Sequence, residues 1–152
     1  REMLGLTQQD VADALGANLK TVKNWENPRQ TRYRIPDAAW EYLDRAAAAQ
    51  ARQVADARYT RTVIEALRGN PSGDPDVVKI SYYRDQSTYD RFGRVAGPYG
   101  QANATARAIA RELERMGVCV EFHYPDDADT APASEIWLPP RGATPIKPPL
   151  PR

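Results

Sequence analysis

Thr7-Gln8-Gln9-Asp10-Val11-Ala12-Asp13-Ala14-Leu15-Gly16-Ala17-Asn18-Leu19-Lys20-Thr21-Val22-Lys23-Asn24-Trp25-Glu26 is the stretch whose reading decides the fold of the N-terminal part of this chain. Thr7 followed three residues later by Asp10 is an arrangement that caps a helix start, because each side chain can satisfy a backbone N–H that the first turn leaves open. Val11 and Leu15 then fall one turn apart on one face. Gly16 suits the left-handed position that ends a helix. Asn18 is a good N-cap for the next helix. The pattern predicts two short helices joined by about three residues around Gly16, the spacing of a helix-turn-helix.

The second helix, Leu19 to Glu26, divides its surface. At about 100° per residue, Val22 and Trp25 lie on one side and Lys20, Lys23 and Asn24 on the other. The apolar pair anchors the helix in a small core. The opposite side presents cations and an amide with no carboxylate among them. Such a face suits the major groove, where Lys and Asn reach base edges and Leu19, on the flank, can touch a thymine methyl. A merely solvated face has the same composition. What favours DNA is the coincidence of a capped helix, a glycine turn and a second capped helix with a divided surface.

Leu4 to Gly16, followed by Thr21 to Glu26, resembles the Cro/repressor (Xre-type) helix-turn-helix over about residues 1–45. The resemblance implies that the second helix of the motif enters the major groove. Carried over by position, Asn18, Leu19, Lys20 and Asn24 would read bases, Gln8 would meet phosphate near the groove edge, and Thr21 and Lys23 would meet phosphate or base. Ala12, Gly16 and Val22 match structural positions. The family has a full helix before Leu4, where this chain has only Arg1 to Leu4, so the expectation is either that natural residues precede Arg1 or that this helix is short.

Working outward, Pro28 to Pro36 holds Arg29, Arg32, Tyr33 and Arg34 in a loop directly after the recognition helix. These are candidate phosphate contacts, the arginines as cations and Tyr33 as a hydroxyl donor. Pro36 and Asp37 suit the start of a further helix. In it Trp40, Leu43 and Ala47 form the expected buried stripe, with Trp25 and Tyr42 as packing residues. The alanine-rich run Ala46 to Ala51 has high helix propensity. The reading continues this helix toward Val63, Ile64 and Leu67 as a support for dimer contacts or a link between domains.

Gly69-Asn70-Pro71-Ser72-Gly73-Asp74-Pro75 reads as a turn-rich linker. It separates a helical domain, residues 1–68, from a small α/β domain, residues 76–138. Val77 to Tyr83 and Val118 to Tyr124 are β-branched and aromatic and predict strands. Ser134 to Leu138 is a candidate third strand, at an edge because prolines surround it. Gln101 to Met116 predicts a helix whose Ala102, Ala106, Ile109, Leu113 and Met116 make one apolar face. Arg107, Arg111 and Arg115 line another face, read as solvated and ion-paired with Glu112 and Glu114. Residues 139–152 form a Pro-rich tail, extended or disordered, packed along a partner or free. The fold class expected is α+β, with an N-terminal all-α helix-turn-helix domain followed by a small strand-helix-strand dimerisation domain. This order of elements is similar to that of the anti-CRISPR-associated repressors, which are dimeric autoregulators of phage and mobile-element operons.

Composition bounds the alternatives. The 152 residues are 41% hydrophobic and 27% charged, with a net charge of +1. Residues 1–68 carry 11 Lys and Arg against 9 Asp and Glu, and residues 69–152 carry 10 against 11. Any DNA-binding field must therefore come from local clustering. No apolar run is long enough to span a membrane. The single Cys119 cannot form an internal disulfide, fits a reducing cytoplasm, and reads as a small buried apolar residue. With His123 as the only other soft ligand, no metal site is expected, and no cofactor. No acid–base pair or phosphate loop can be assembled either, so an enzyme is not expected. Gly93 to Gly100 contains three glycines without a P-loop Lys-Ser/Thr pair and reads as a flexible loop or a ligand lid. The function expected is a homodimeric repressor on an inverted-repeat double-stranded DNA operator, possibly autoregulatory. Two alternatives stand beside it: an antitoxin or adaptor whose main partner is another protein, and a DNA-binding regulator with a ligand-sensing C-terminal domain.

Overall fold

The computed structural model describes residues 1–30, 32–60, 63–64, 77–93 and 95–125. The expected linker 69–75, the candidate strand 134–138 and the tail 139–152 lie outside the described residues. Those described form five α-helices and a two-stranded parallel sheet, an α+β arrangement.

A single 3-10 turn, Glu2–Leu4, stands before α1, Gln8–Leu15. Thr7 caps α1 as the sequence predicts: its hydroxyl accepts from the Asp10 N–H at 3.1 Å, and the Asp10 carboxylate accepts from the Thr7 N–H at 2.6 Å. Gly16 closes α1 in the left-handed region, φ 60 and ψ 28, which only glycine adopts without strain. Helix α2, Leu19–Trp25, begins at Asn18, whose side-chain oxygen accepts from the Lys20 N–H at 2.8 Å. Val11, Ala12 and Val22 meet in a small core, with Leu15, Trp25, Tyr42 and Leu43 packed around them.

Helix α3, Asp37–Ala57, differs from expectation in phase and in length. Its buried residues toward α1 and the N-terminal turn are Ala39 and Ala46, with Tyr42 and Leu43 half-buried, whereas Trp40 is 53% exposed and Ala47 is exposed. The face is rotated by one residue because Leu4 and Leu6 pack on Ala46, a contact that the local pattern does not contain. The helix also ends at Ala57 instead of running on. Thr60 interrupts it: its hydroxyl donates to the Ala57 carbonyl at 3.0 Å and accepts from the Val63 N–H at 3.4 Å. A threonine that serves a following N–H in this way starts a new turn.

Strand β1, Val77–Ser81, pairs in parallel with β2, Cys119–His123, Val78 facing Val120 and Ile80 facing Phe122. Parallel neighbours need a crossover. Here it is made by α4, Gln86–Phe92, and α5, Tyr99–Arg115. Helix α4 was not anticipated, although Asp85 signals it: the carboxylate accepts from the Thr88 N–H at 2.8 Å. The hydrogen bond from the Thr88 backbone N–H, with those from the Ser87 and Thr88 hydroxyls, holds the Asp85 carboxyl below the usual carboxylate range. Helix α5 buries a wider face than the predicted stripe, adding Asn103, Ala104, Thr105 and Ala110 to Ala106, Ile109 and Leu113. The reason is that α5 is pressed from several sides, by α3, by both strands and by the N-terminal turn. Cys119, expected to be buried, is exposed. Strand alternation sends Val118 inward at 5% exposure and turns Cys119 outward.

Among the contacts that join the N-terminal helices to the α/β part, two stand at the ends of this junction. A Cβ on Gly5 would sit 2.0 Å from the Gly100 carbonyl oxygen, and one on Gly100 would sit 2.4 Å from that of Gly5. The backbones therefore touch where only glycines permit it. At the other end of α3, Arg58 donates to Glu112 of α5 at 2.5 Å. Inside, the Asn103 side chain bonds both backbone groups of Tyr83, accepting from its N–H at 2.9 Å and donating to its carbonyl at 2.7 Å. That pair fixes α5 on the end of β1.

Candidate nucleic-acid interface

The cationic face begins with what holds α2. Val22 is 1% exposed and sits against α1, an anchorage of about 1.5–3 kcal/mol from burial alone. With that side inward, Lys20 and Lys23 stand exposed, while Leu19, Thr21 and Asn24 are half-buried. Asn18 is exposed, but its oxygen is committed to the helix cap, so its amide donors are the part left to face a partner.

The loop after α2 continues the charge. Arg29 is exposed, and its backbone N–H donates to the Asn27 side chain at 3.0 Å, a local turn that sets the start of the loop. Arg32 lies over the Tyr33 ring, 4.9 Å from its centroid, and donates to the Tyr33 hydroxyl at 3.2 Å. This stacking stiffens both side chains. Arg34 approaches Asp37 at 3.9 Å with both side chains largely in water, so the pair is weak and the guanidinium remains available.

Residues 18–36 hold Lys20, Lys23, Arg29, Arg32 and Arg34 against one acid, Glu26. That acid is neutralised. Arg1 grips it with two parallel bonds, Nε to Oε1 at 2.6 Å and a terminal nitrogen to Oε2 at 2.9 Å. Gln8 donates its amide to the same Oε2 at 2.7 Å. A further nitrogen of Arg1 donates to the Leu6 carbonyl at 2.7 Å. The Arg1 bond is the main reason the Glu26 carboxyl lies below its ordinary range, opposed by desolvation, and the same bond raises Arg1. The fork also ties the end of α2 to the chain ahead of α1, and Gln8 adds a strut from the first turn of α1. The pattern of local residues carries no sign of this arrangement, because Arg1 and Glu26 are 25 positions apart. Gln8, predicted at a groove edge, is thus a half-buried residue with its amide nitrogen aimed at Glu26.

The second arginine row does not form one surface. Arg107 turns inward to the Tyr82 hydroxyl at 2.5 Å, Arg115 approaches Glu112 at 3.5 Å, and Arg111 is exposed. Among the described residues no cluster of three or more His, Cys, Asp or Glu could hold a metal ion, and no helix is long and apolar enough to cross a membrane. Compared with protein-family models, curated proteins and solved structures, the chain matches none.

Proposed function

We propose that this chain is a sequence-specific double-stranded-DNA-binding repressor of the cell interior, reading its operator with α1 and α2 as a helix-turn-helix. The observation that carries the proposal is the divided surface of α2. Lys20 and Lys23 are exposed while Val22 is sealed against α1, and Glu26, the one acid of residues 18–36, is held by Arg1. A protein whose net charge is only +1 gains little long-range attraction to DNA, so a compact cationic site has to supply it. The resemblance to Xre-type regulators supports the same reading.

In this reading Lys20, Asn24, Leu19 and the amide of Asn18 meet base edges, and Thr21, Lys23, Arg29, Arg32, Tyr33 and Arg34 meet phosphates, while Gln8 supports the site through Glu26. A single short helix reads only a few base pairs. Two-fold pairing through the α/β part would set two such helices about 34 Å apart, one turn of DNA, and multiply two weak events through effective concentration. Selection of bound duplexes from a random pool should return an inverted repeat. Against that duplex, Lys20→Ala or Asn24→Ala should weaken specific binding more than random-sequence binding, by about 1–3 kcal/mol. Arg32→Ala should weaken both alike. Equal losses on the two DNAs for all three variants, or no selected sequence at all, would overturn the proposal.

A further inference from the structure

A cavity of about 180 Å³ lies between the second half of α3, the end of β1, residues 95–98 and α5. Its apolar walls include Ile80, Val95, Ala102 and Ile109, and Tyr83 and Tyr89 line it as an edge-to-face pair with ring centroids 4.8 Å apart. Its polar lining is Gln50, Gln53, Gln101, Ser81 and Thr105. Among the described residues that line it there is no Lys, Arg, Asp, Glu or His.

Each of these facts restricts an occupant. A dry cavity of roughly 150 Å³ suffices for benzene, so this one takes a single ring with one or two small substituents. With no ionised group among the described lining residues, a charged ligand would be desolvated without a counter-charge from them, a costly transfer. Three glutamines, in contrast, each offer a donor and an acceptor. Gln50 meets Thr105 only at 3.5 Å, a weak contact that a better partner can replace. The Ser81 hydroxyl oxygen, in the same wall, is buried with no hydrogen-bond partner. A polar atom in that state costs free energy that a suitable donor would recover.

We propose that this cavity binds a neutral single-ring molecule carrying both a hydrogen-bond donor and an acceptor. The proposal does not rest on DNA binding, and direct titration without DNA separates the two. Helix α3 gives the site a physical route to the N-terminal helices, since its first half carries Tyr42, Leu43 and Ala46 into their cores and its second half carries Ala49, Gln50 and Gln53 to the cavity.

The test is calorimetric titration of the full chain with phenol, benzamide and uracil, and with benzoate as a charged analogue of similar size. At least one neutral probe should bind with 1:1 stoichiometry, and benzoate at least tenfold more weakly. Nuclear Overhauser contacts from the bound probe should reach the ring protons of Tyr83 and Tyr89. Ala102→Phe, which fills the cavity, should abolish binding. Gln53→Leu, on a half-exposed helix position, tests the same site should the larger side chain at 102 prevent folding, and weakens binding several-fold. Failure of every neutral probe at millimolar concentration, benzoate binding as well as benzamide, or contacts mapping away from the two tyrosines would overturn the assignment.

Discussion

Replacing Glu26 by glutamine removes the charge that Arg1 grips and keeps the shape of the side chain. Hydrogen bonds to charged groups contribute about 1.5–3 kcal/mol when buried, and exposed ion pairs about 0–1 kcal/mol. The Arg1 side chain is 16% exposed and that of Glu26 is 34% exposed, which sets the fork between these limits. A loss of about 1–2 kcal/mol is expected, or about 2–8 °C in Tm for a chain of this size. The dependence on pH gives the sign. Because Arg1 holds the folded Glu26 carboxyl below its usual range, the folded state gives up this proton more readily than the unfolded state. The stabilisation is therefore complete above the ordinary carboxylate pKa and disappears as pH falls through the lowered folded value. In melting curves recorded from about pH 3 to 7, the parent and Glu26→Gln should converge at the acid end, and so should Arg1→Ala and the double variant with each other, while both Arg1 variants keep the loss of the bond to the Leu6 carbonyl. A double-variant coupling under about 0.3 kcal/mol at neutral pH, or a difference unchanged by acid, would refute the reasoning.

The other predictions concern the joints of the fold and the charge of the site. Asn103→Ala removes both hydrogen bonds that the side chain makes to the Tyr83 backbone in the interior and should cost about 2–4 kcal/mol in a denaturant titration; a change under 1 kcal/mol would mean that water replaces the side chain. Gly100→Ala forces backbone against backbone at Gly5 and should lower Tm, whereas Gly97→Ala has open space at its Cβ and should act only through its backbone angle, φ 154. Comparing the two melts separates clash from conformation. On DNA, Lys23→Ala should lessen the slope of log affinity against log salt by about 1, measured by fluorescence anisotropy; an unchanged slope would remove Lys23 from the phosphate set.

The residues of the N-terminal stretch were sufficient for its local structure. Thr7, Asp10, Gly16 and Asn18 act through bonds spanning three or four positions, and Val22 opposite Lys20 and Lys23 follows from helical period alone. The strands were legible in the same way, from β-branched runs around Val78 and Val120. Helix α4 escaped the reading, although its cap Asp85 is a local signal of the same kind. What the chain could not announce locally depends on distant partners. Trp40 is outside and Ala46 inside because Leu4 and Leu6 arrive on one side of α3. Glu26 is silent as a charge because Arg1 reaches it from 25 residues away. The cavity exists because α3, β1 and α5 meet around it. Short-range hydrogen bonds and periodicity are properties of neighbouring residues, whereas burial, charge pairing and voids are properties of surfaces that only folding brings face to face.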